Sequence, residues 1–260
     1  MKKELLLFKV DFEKAYDSIG HNYLNFVMLN MNFPTLWRKW IMECVAVLVN
    51  GYLTEEFPLH RGLRQGDPLS PFLFLLVAEG FDVLMNASVT NDLYHAYGVG
   101  PQREVRLSHL HFADDTLILG EKSWLNVRTI SVVLLLFDEV SGLKVNFHKS
   151  LLTGVNIPLS WLSEAASILN CRTGTIPFVY LGLPIGGDDR KLNFRKPVVE
   201  RISARLSSWN NKFLSFGGLL VLMKSVLSSL PVYFLSFFKA PTGIISSIES
   251  IFFFKWGGGF

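Results

Sequence analysis

Residues 107–120 read LSHLHFADDTLILG, and the pair Asp114-Asp115 interrupts two runs that otherwise read as strands. Apolar residues alternate up to the pair and resume directly after it, so the stretch predicts a hairpin with two carboxylates at its tip. A two-residue tip ordinarily takes Asn-Gly or Asp-Gly, because its backbone often turns into positive φ. Adjacent carboxylates also repel, and burial beside a strand raises the cost of ionising both. A local rule broken without structural gain points to a site. The plainer reading leaves both side chains in solvent on a turn.

A second acid bears on that choice. Asp11 ends the run LLLFKV, residues 5–10, which is continuously apolar up to Lys9 and reads as a strand covered on both faces. An acid at the end of a central strand can meet an acid on a neighbouring hairpin, although about 100 positions separate Asp11 from Asp114. Carboxylates with no His or Cys ligand nearby are hard-oxygen donors and suit Mg²⁺, which shares its shell with water and substrate phosphates. Two such ions about 3.5–4 Å apart serve in-line phosphoryl transfer.

The rest of the chain permits this chemistry. Its 260 residues are 50% apolar and 18% charged, enough for a sizeable core, and the length allows one large domain or two small ones. Cys44 and Cys171 form no CxxC pair, which argues against a zinc finger or disulfide framework and fits a reducing, intracellular compartment. The apolar run LLLF before Lys9 is too short for an export signal. Residues 217–238 are the best membrane-span candidate, but Lys224 and Pro231 interrupt them, so they read as a buried helical region. A soluble globular protein with no membrane partner is expected. The net charge is +3, yet Arg190, Lys191, Arg195, Lys196, Arg201, Arg205 and Lys212 face one acid, Glu200. Such a stripe suits a polyanion partner or a solvated helix face.

From Glu13 onward Ala15, Ile19, Tyr23, Phe26 and Val27 fall at helical spacing, Pro34 ends or restarts that helix, and LWRKWIMECVAVL forms another. Asn50-Gly51 marks a hairpin. Asp67 is a good N-cap and Pro68 suits the first turn of a helix that is apolar nearly all round, and so should pack against a sheet. A helix over residues 123–140, a turn and strand over 141–155, and a small hairpin at YLGLPIGG complete the pattern, before a mostly helical remainder. Strands and helices alternate without a regular period, which favours α+β.

Five blocks occur in order: FKVDFEKAYDSI (8–19), RGLRQGDPLSPFLF (61–74), FADD (112–115), SGLKVNFHKS (141–150) and YLGLPIGG (180–187). Together they resemble the palm of a reverse transcriptase, most closely that of a plant non-LTR (LINE-type) retrotransposon. The resemblance implies a palm over residues 1–187, an antiparallel sheet with helices on one face, followed by a helical thumb-like region over 188–260. It implies an RNA-directed DNA polymerase that adds dNTPs to a DNA primer on an RNA or DNA template, using two Mg²⁺ ions or Mn²⁺ in their place. Asp11 and Asp114 are then the main metal ligands, with Asp115 beside them and the Phe12 carbonyl as an extra donor.

By the same resemblance, Tyr16 is an aromatic gate that clashes with a ribose 2′-hydroxyl; its plain alternative is a core tyrosine. Gln65 and Gly66 meet the nucleotide or template, and Arg61 and Arg64 offer donors to nucleic acid. Lys149 assists pyrophosphate departure. Tyr180 and Gly182 belong to the primer grip, and Arg201 and Arg205 to phosphate contacts of the thumb. His109 and His111 read as packing or surface residues. Nuclear action follows from family likeness alone. Only ten residues precede Asp11, where the family carries a fingers segment, so an N-terminally truncated palm with weak or no activity in isolation is expected. The connection over 41–50 is short, and Leu219 stands where an Arg is customary. The alternative is a non-catalytic relic that keeps the fold and binds nucleic acid or metal weakly.

Overall fold

The computed structural model describes residues 3–45, 48–49, 52–53, 60–100 and 105–186, with Glu200, Ala204, Gly217, Gly218, Val221, Ser246 and Ser250. Arg201, Arg205, Leu219, the Asn50-Gly51 turn, and nearly all of the basic stripe and expected thumb lie outside the described residues. The chain divides into two compact units, Met1–Ile176 and Pro177–Phe260, each described by itself.

In the first unit β1 (Leu5–Val10) leads into α1 (Ala15–Ser18), α2 (His21–Asn30), α3 (Thr35–Cys44), β2 (Leu48–Val49) and β3 (Tyr52–Leu53). Then come α4 (Ser70–Thr90), β4 (Tyr97–Val99), β5 (Val105–Leu107), β6 (His109–Phe112), β7 (Asp115–Gly120) and α5 (Trp124–Ser141). The unit closes with β8 (Leu151–Val155), α6 (Leu159–Ile168) and β9 (Arg172–Thr173). The second unit begins with the hairpin β10 (Phe178–Tyr180) and β11 (Leu183–Ile185).

The main sheet runs β6-β7-β1-β8-β9, with β1 at its centre. Its neighbours β7 and β8 are both antiparallel to it, with Phe8 opposite Ile118 on one side and Leu152 on the other. Side chains of successive strand residues alternate between faces. Leu6, Phe8 and Val10 join Phe74, Val77 and Phe81 of α4 and Ile130, Leu134 and Phe137 of α5 in one core. Leu7, Leu117 and Leu119 on the opposite face are also buried, so β1 is covered on both sides, as its unbroken apolar run required.

Four expectations are revised. The sheet is not wholly antiparallel: β9 pairs parallel with β8, because α6, which the sequence reading passed over, carries the chain back across the sheet. The helix expected from Glu13 is broken, since Ile19 is extended at ψ 123° and the Gly20 amide donates to the Ser141 carbonyl at 2.8 Å. Helical spacing alone could not foresee that tertiary bond, and Phe26, expected on the core face, is 60% exposed. Helix α4 begins at Ser70; Asp67 caps the preceding turn instead, accepting the Leu69 amide at 2.8 Å. Nor is α4 enclosed all round, as Phe72, Leu75 and Val83 are exposed, and with α2 it flanks an apolar groove of about 760 Å³. By length and composition α4 alone among the described helices could cross a membrane, yet its inner face forms the core just described.

His111 on β6 lies between the sheet and α4, stacked on Phe74 at 6.2 Å and sharing a 2.7 Å hydrogen bond between Nδ1 and Thr116 Oγ1. Burial, helped by the His109 charge and opposed by Asp114, pushes its pKa down to about 4. The unfolded chain takes that proton near the ordinary value of 6.5, so it binds more protons than the native state between the two values. Stability should therefore hold above about pH 6.5 and fall by up to about 3 kcal/mol on acidification toward pH 4. Thermal melts from pH 7.5 downward check this; His111→Phe should flatten the decline.

Candidate active site

Phe112 pairs with Asp115 across the β6–β7 hairpin, so the two-residue tip is Ala113-Asp114 and not Asp114-Asp115. Asp115 already belongs to β7. Ala113 takes φ 50°, a left-handed conformation that costs a residue with a Cβ about 1–2 kcal/mol. That strain sets the Asp114 carboxylate at the exposed tip of a short, stiff turn.

Val10 lies opposite Thr116, so the next residue of the central strand, Asp11, comes level with Asp115. Strand alternation puts Lys9 on the same face as Asp11, and the Lys9 Nζ stands 3.9 Å from Asp115 Oδ1. Asp11 is gripped through its main chain: its amide donates to Ser150 Oγ at 3.1 Å, and its carbonyl accepts the Asn146 amide at 2.7 Å. Phe12 bridges to Val145, and its ring meets Phe137 edge-on at 6.3 Å. The result is a cleft of about 150 Å³ lined by Lys9, Val10, Asp11, Phe12, Asp114, Asp115, Lys149 and Leu151. Three acids and a lysine read from separate sequence blocks thus share one cavity.

Among the described residues, no group of three or more His, Cys, Asp and Glu side chains could by itself hold a metal ion. Mg²⁺ does not ask for such a cage, since it binds through one or two carboxylates and completes its shell with water and substrate phosphates. Asp11 and Asp114 would supply such oxygens, with Asp115 engaged by Lys9, and this donor set fits a hard divalent ion.

A second, larger cleft of about 530 Å³ is lined by Tyr16, Gln65, Gly66, Asp67, Pro68, Ser70 and Pro71. The segment leading into it is tied to α1 and the residue that ends it: the Leu63 amide donates to the Tyr16 carbonyl at 2.6 Å, and the Gly62 amide to the Ile19 carbonyl at 2.8 Å. Gln65 Nε2 reaches Asp17 Oδ1 at 3.4 Å. Gly66 stands at φ 85° with open space around its Cα, so a bare backbone faces the cleft. The Tyr16 ring rests on Phe74 at 5.0 Å. Burial raises its phenol pKa and the Asp114 charge raises it further, which links Tyr16 electrostatically to the carboxylate cleft. Arg61 and Arg64 are exposed and line neither cleft; the Arg61 charge is felt instead at Asp138, whose pKa burial raises while Lys144 and Arg61 oppose.

The expected primer-grip hairpin forms within the second unit, Tyr180 pairing with Leu183 across Leu181 and Gly182, at φ 50° and 75°. Tyr180 is buried. His109 and His111 serve packing, with His109 against Phe81 and 3.3 Å from Asp82.

Sequence reasoning missed Lys9, Ala113, Asn146 and Ser150. Lys9 was legible as a charge two positions before Asp11 on an otherwise apolar strand. Ala113 acts through its backbone conformation, and Asn146 and Ser150 through hydrogen bonds to main-chain groups, which no side-chain pattern announces.

An antiparallel core sheet with acids at one end of its central strand and on the adjoining hairpin, backed by two long helices, defines a palm-type domain. Residues 1–185 match the family model described as reverse transcriptase (RNA-dependent DNA polymerase), and the chain belongs to that family. It is 27% identical over 203 residues to the retrovirus-related Pol polyprotein of type-1 retrotransposable element R2 from Popillia japonica, covering 75% of this chain and 26% of that protein. It is 26% identical over 237 residues to the transposon TX1 uncharacterized 149 kDa protein from Xenopus laevis, covering 86% and 17%. A putative ribonuclease H protein from Arabidopsis thaliana shares 43% identity over 61 residues, 23% of this chain and 10% of that protein. The chain thus spans about a quarter or less of the length of these relatives.

Replacing Ala113 by Gly should relieve the turn's strain and raise stability by about 0.5–1 kcal/mol after the added unfolded-state entropy is counted. Urea unfolding measures it, and a loss of stability would contradict the left-handed turn.

Proposed function

We propose that this chain is the palm of an RNA-directed DNA polymerase, joining a deoxynucleotide to a primer 3′-hydroxyl on an RNA or DNA template. The observation that carries the reading is the single cleft shared by Asp11, Asp114, Asp115 and Lys149. We assign residues 1–187 to the palm and 188–260 to a thumb-like region, following the order of the sequence blocks. The R2 and TX1 relatives support placing the chain among non-LTR (LINE-type) elements, and the 43% identity over 61 residues with an Arabidopsis protein supports a plant source.

Two divalent ions, when bound, favour loss of the attacking hydroxyl's proton and offset charge on the departing pyrophosphate. Asp11 and Asp114 hold them from a strand end and a tight turn, with the Phe12 carbonyl adjacent. Asp115 draws on Lys9 for its counter-charge. Lys149 places a positive charge, and a donatable proton, beside the leaving oxygen. Fixed charges of this kind act without reorganising as the reaction proceeds. The Tyr16 ring, held by Phe74, bars a 2′-hydroxyl, while Gln65 and Gly66 line the nucleotide cleft. Arg61, Arg64, Tyr180, Gly182, Arg201 and Arg205 serve template and primer in this reading. We assign the reaction to the cell interior, in the nucleus, on family likeness alone.

The test is Mg²⁺-dependent extension of a DNA primer on an RNA template, with an upstream segment from a full-length relative fused to the chain. Asp11→Asn and Asp114→Asn should each lower the rate by about 10²–10³-fold or more. Extension indifferent to both would sink the site assignment, and no extension at all would leave the relic reading standing. Tyr16→Val should admit ribonucleotides, read as a raised ratio of rNTP to dNTP incorporation.

A further inference from the structure

We propose that Ser150 and Asn146 are positioning residues of the carboxylate cleft, fixing the Asp11 carboxylate and the Lys149 ammonium to one common frame. The inference rests on the reading of the cleft given above. Its starting point is where the sheet ends. The β1–β8 ladder stops at Lys9 opposite Leu151, so the Asp11 main chain has outrun the strand that would otherwise pair it. Both of its polar groups are nevertheless met, and both by the turn over residues 146–150.

Ser150 is fully buried, and its hydroxyl works in two directions. It accepts the Asp11 amide at 3.1 Å and donates to the Asn146 carbonyl at 2.9 Å. The Asn146 amide returns to the Asp11 carbonyl at 2.7 Å, closing a ring of three bonds. With the peptide groups on both sides of the Asp11 Cα held, its Cα–Cβ direction is set and only side-chain rotation remains. The same turn fixes Lys149: its amide donates to both the carbonyl and the Oδ1 of Asn146, each at 3.1 Å. One acid and one ammonium that share a cleft are therefore anchored to a single five-residue turn. Through its donor and its acceptor together, this hydroxyl joins the strand end to the turn.

The experiment measures Mn²⁺ binding to the full chain by electron paramagnetic resonance of the free ion, with the folded fraction checked by circular dichroism. Ser150→Ala should weaken binding about tenfold, the effect usual for removing a group that orients a ligand. Ser150→Cys fills the same space with a poor acceptor and should weaken it about threefold, which keeps the test open if the alanine variant fails to fold. Leu152→Val lowers stability on the same strand without touching Asp11, and its affinity should match the parent. Parent-like affinity in the folded Ser150 variants, or an equal loss in Leu152→Val, overturns the proposal for Ser150.

Asn146→Ala should weaken binding of inorganic pyrophosphate in the presence of Mn²⁺ about threefold, with Asn146→Asp restoring it. Unchanged pyrophosphate binding overturns the link to Lys149. If Asp11→Asn and Asp114→Asn fail to weaken Mn²⁺ binding, the reading of the cleft itself fails, a result separate from either outcome for Ser150. A parent chain that binds no Mn²⁺ overturns both.

Discussion

Everything at the cleft depends on the register between β1 and β7. With Val10 opposite Thr116, Asp11 comes level with Asp115 and one residue from the Asp114 turn. A slip of one position would send Asp11 and Lys9 to the opposite face and drive Phe8 and Val10 out of the core. The register is therefore set by hydrophobic burial, and the placement of charge follows from it. Phe8, enclosed by Ile118, Leu152 and the helices, does more to align the acids than any contact among the acids themselves.

That dependence explains why the site was so legible. An apolar run that ends abruptly in an acid is visible in one dimension, and so is an acidic pair between two strands. Their convergence follows once both strands are seen to belong to the same core. The hairpin tip was misread by one residue because Asp-Asp catches the eye, whereas Ala113 takes the strained turn position without any of the usual turn chemistry. The break between α1 and α2 was hidden for a related reason. Spacing from Ala15 to Val27 is helical throughout, and what interrupts it is a bond from Gly20 to Ser141, some 120 positions away. Periodicity reports which face a residue prefers; it does not report a tertiary bond that pulls the backbone out of the helix.

The parallel edge strand was missed differently. Leu159–Ile168 has a buried face of Leu162, Ala165 and Ala166, too small and too short to stand out beside the long apolar helices. Arg172-Thr173 carries no strand signal of its own and becomes one only through β8. Likewise α4 was expected to pack against a sheet because it is apolar nearly all round, and it does so by one face only, since burial is settled by the neighbours available. Here the sheet and α5 cover one face of it, and Val83 stays 64% exposed.

The charges around the cleft carry the argument one step further. Three carboxylates and two ammonium groups, Lys9 and Lys149, belong to residues lining that cleft of about 150 Å³, with Lys9 3.9 Å from Asp115. The formal balance is negative, so the cleft by itself repels a triphosphate more than it draws one in. Partly screened like charges about 4 Å apart interact by about 1–4 kcal/mol. Under the proposed function, cations would reverse the sign, and the same acids would hold what attracts the nucleotide. The lysines keep the acids tolerable in the meantime: Lys9 offsets Asp115 within the sheet, and Lys149 stands on the turn that grips Asp11. Under the proposed function, affinity for nucleotide would be conditional on bound cations, and the condition would be built from the strand end, the hairpin tip and one short turn.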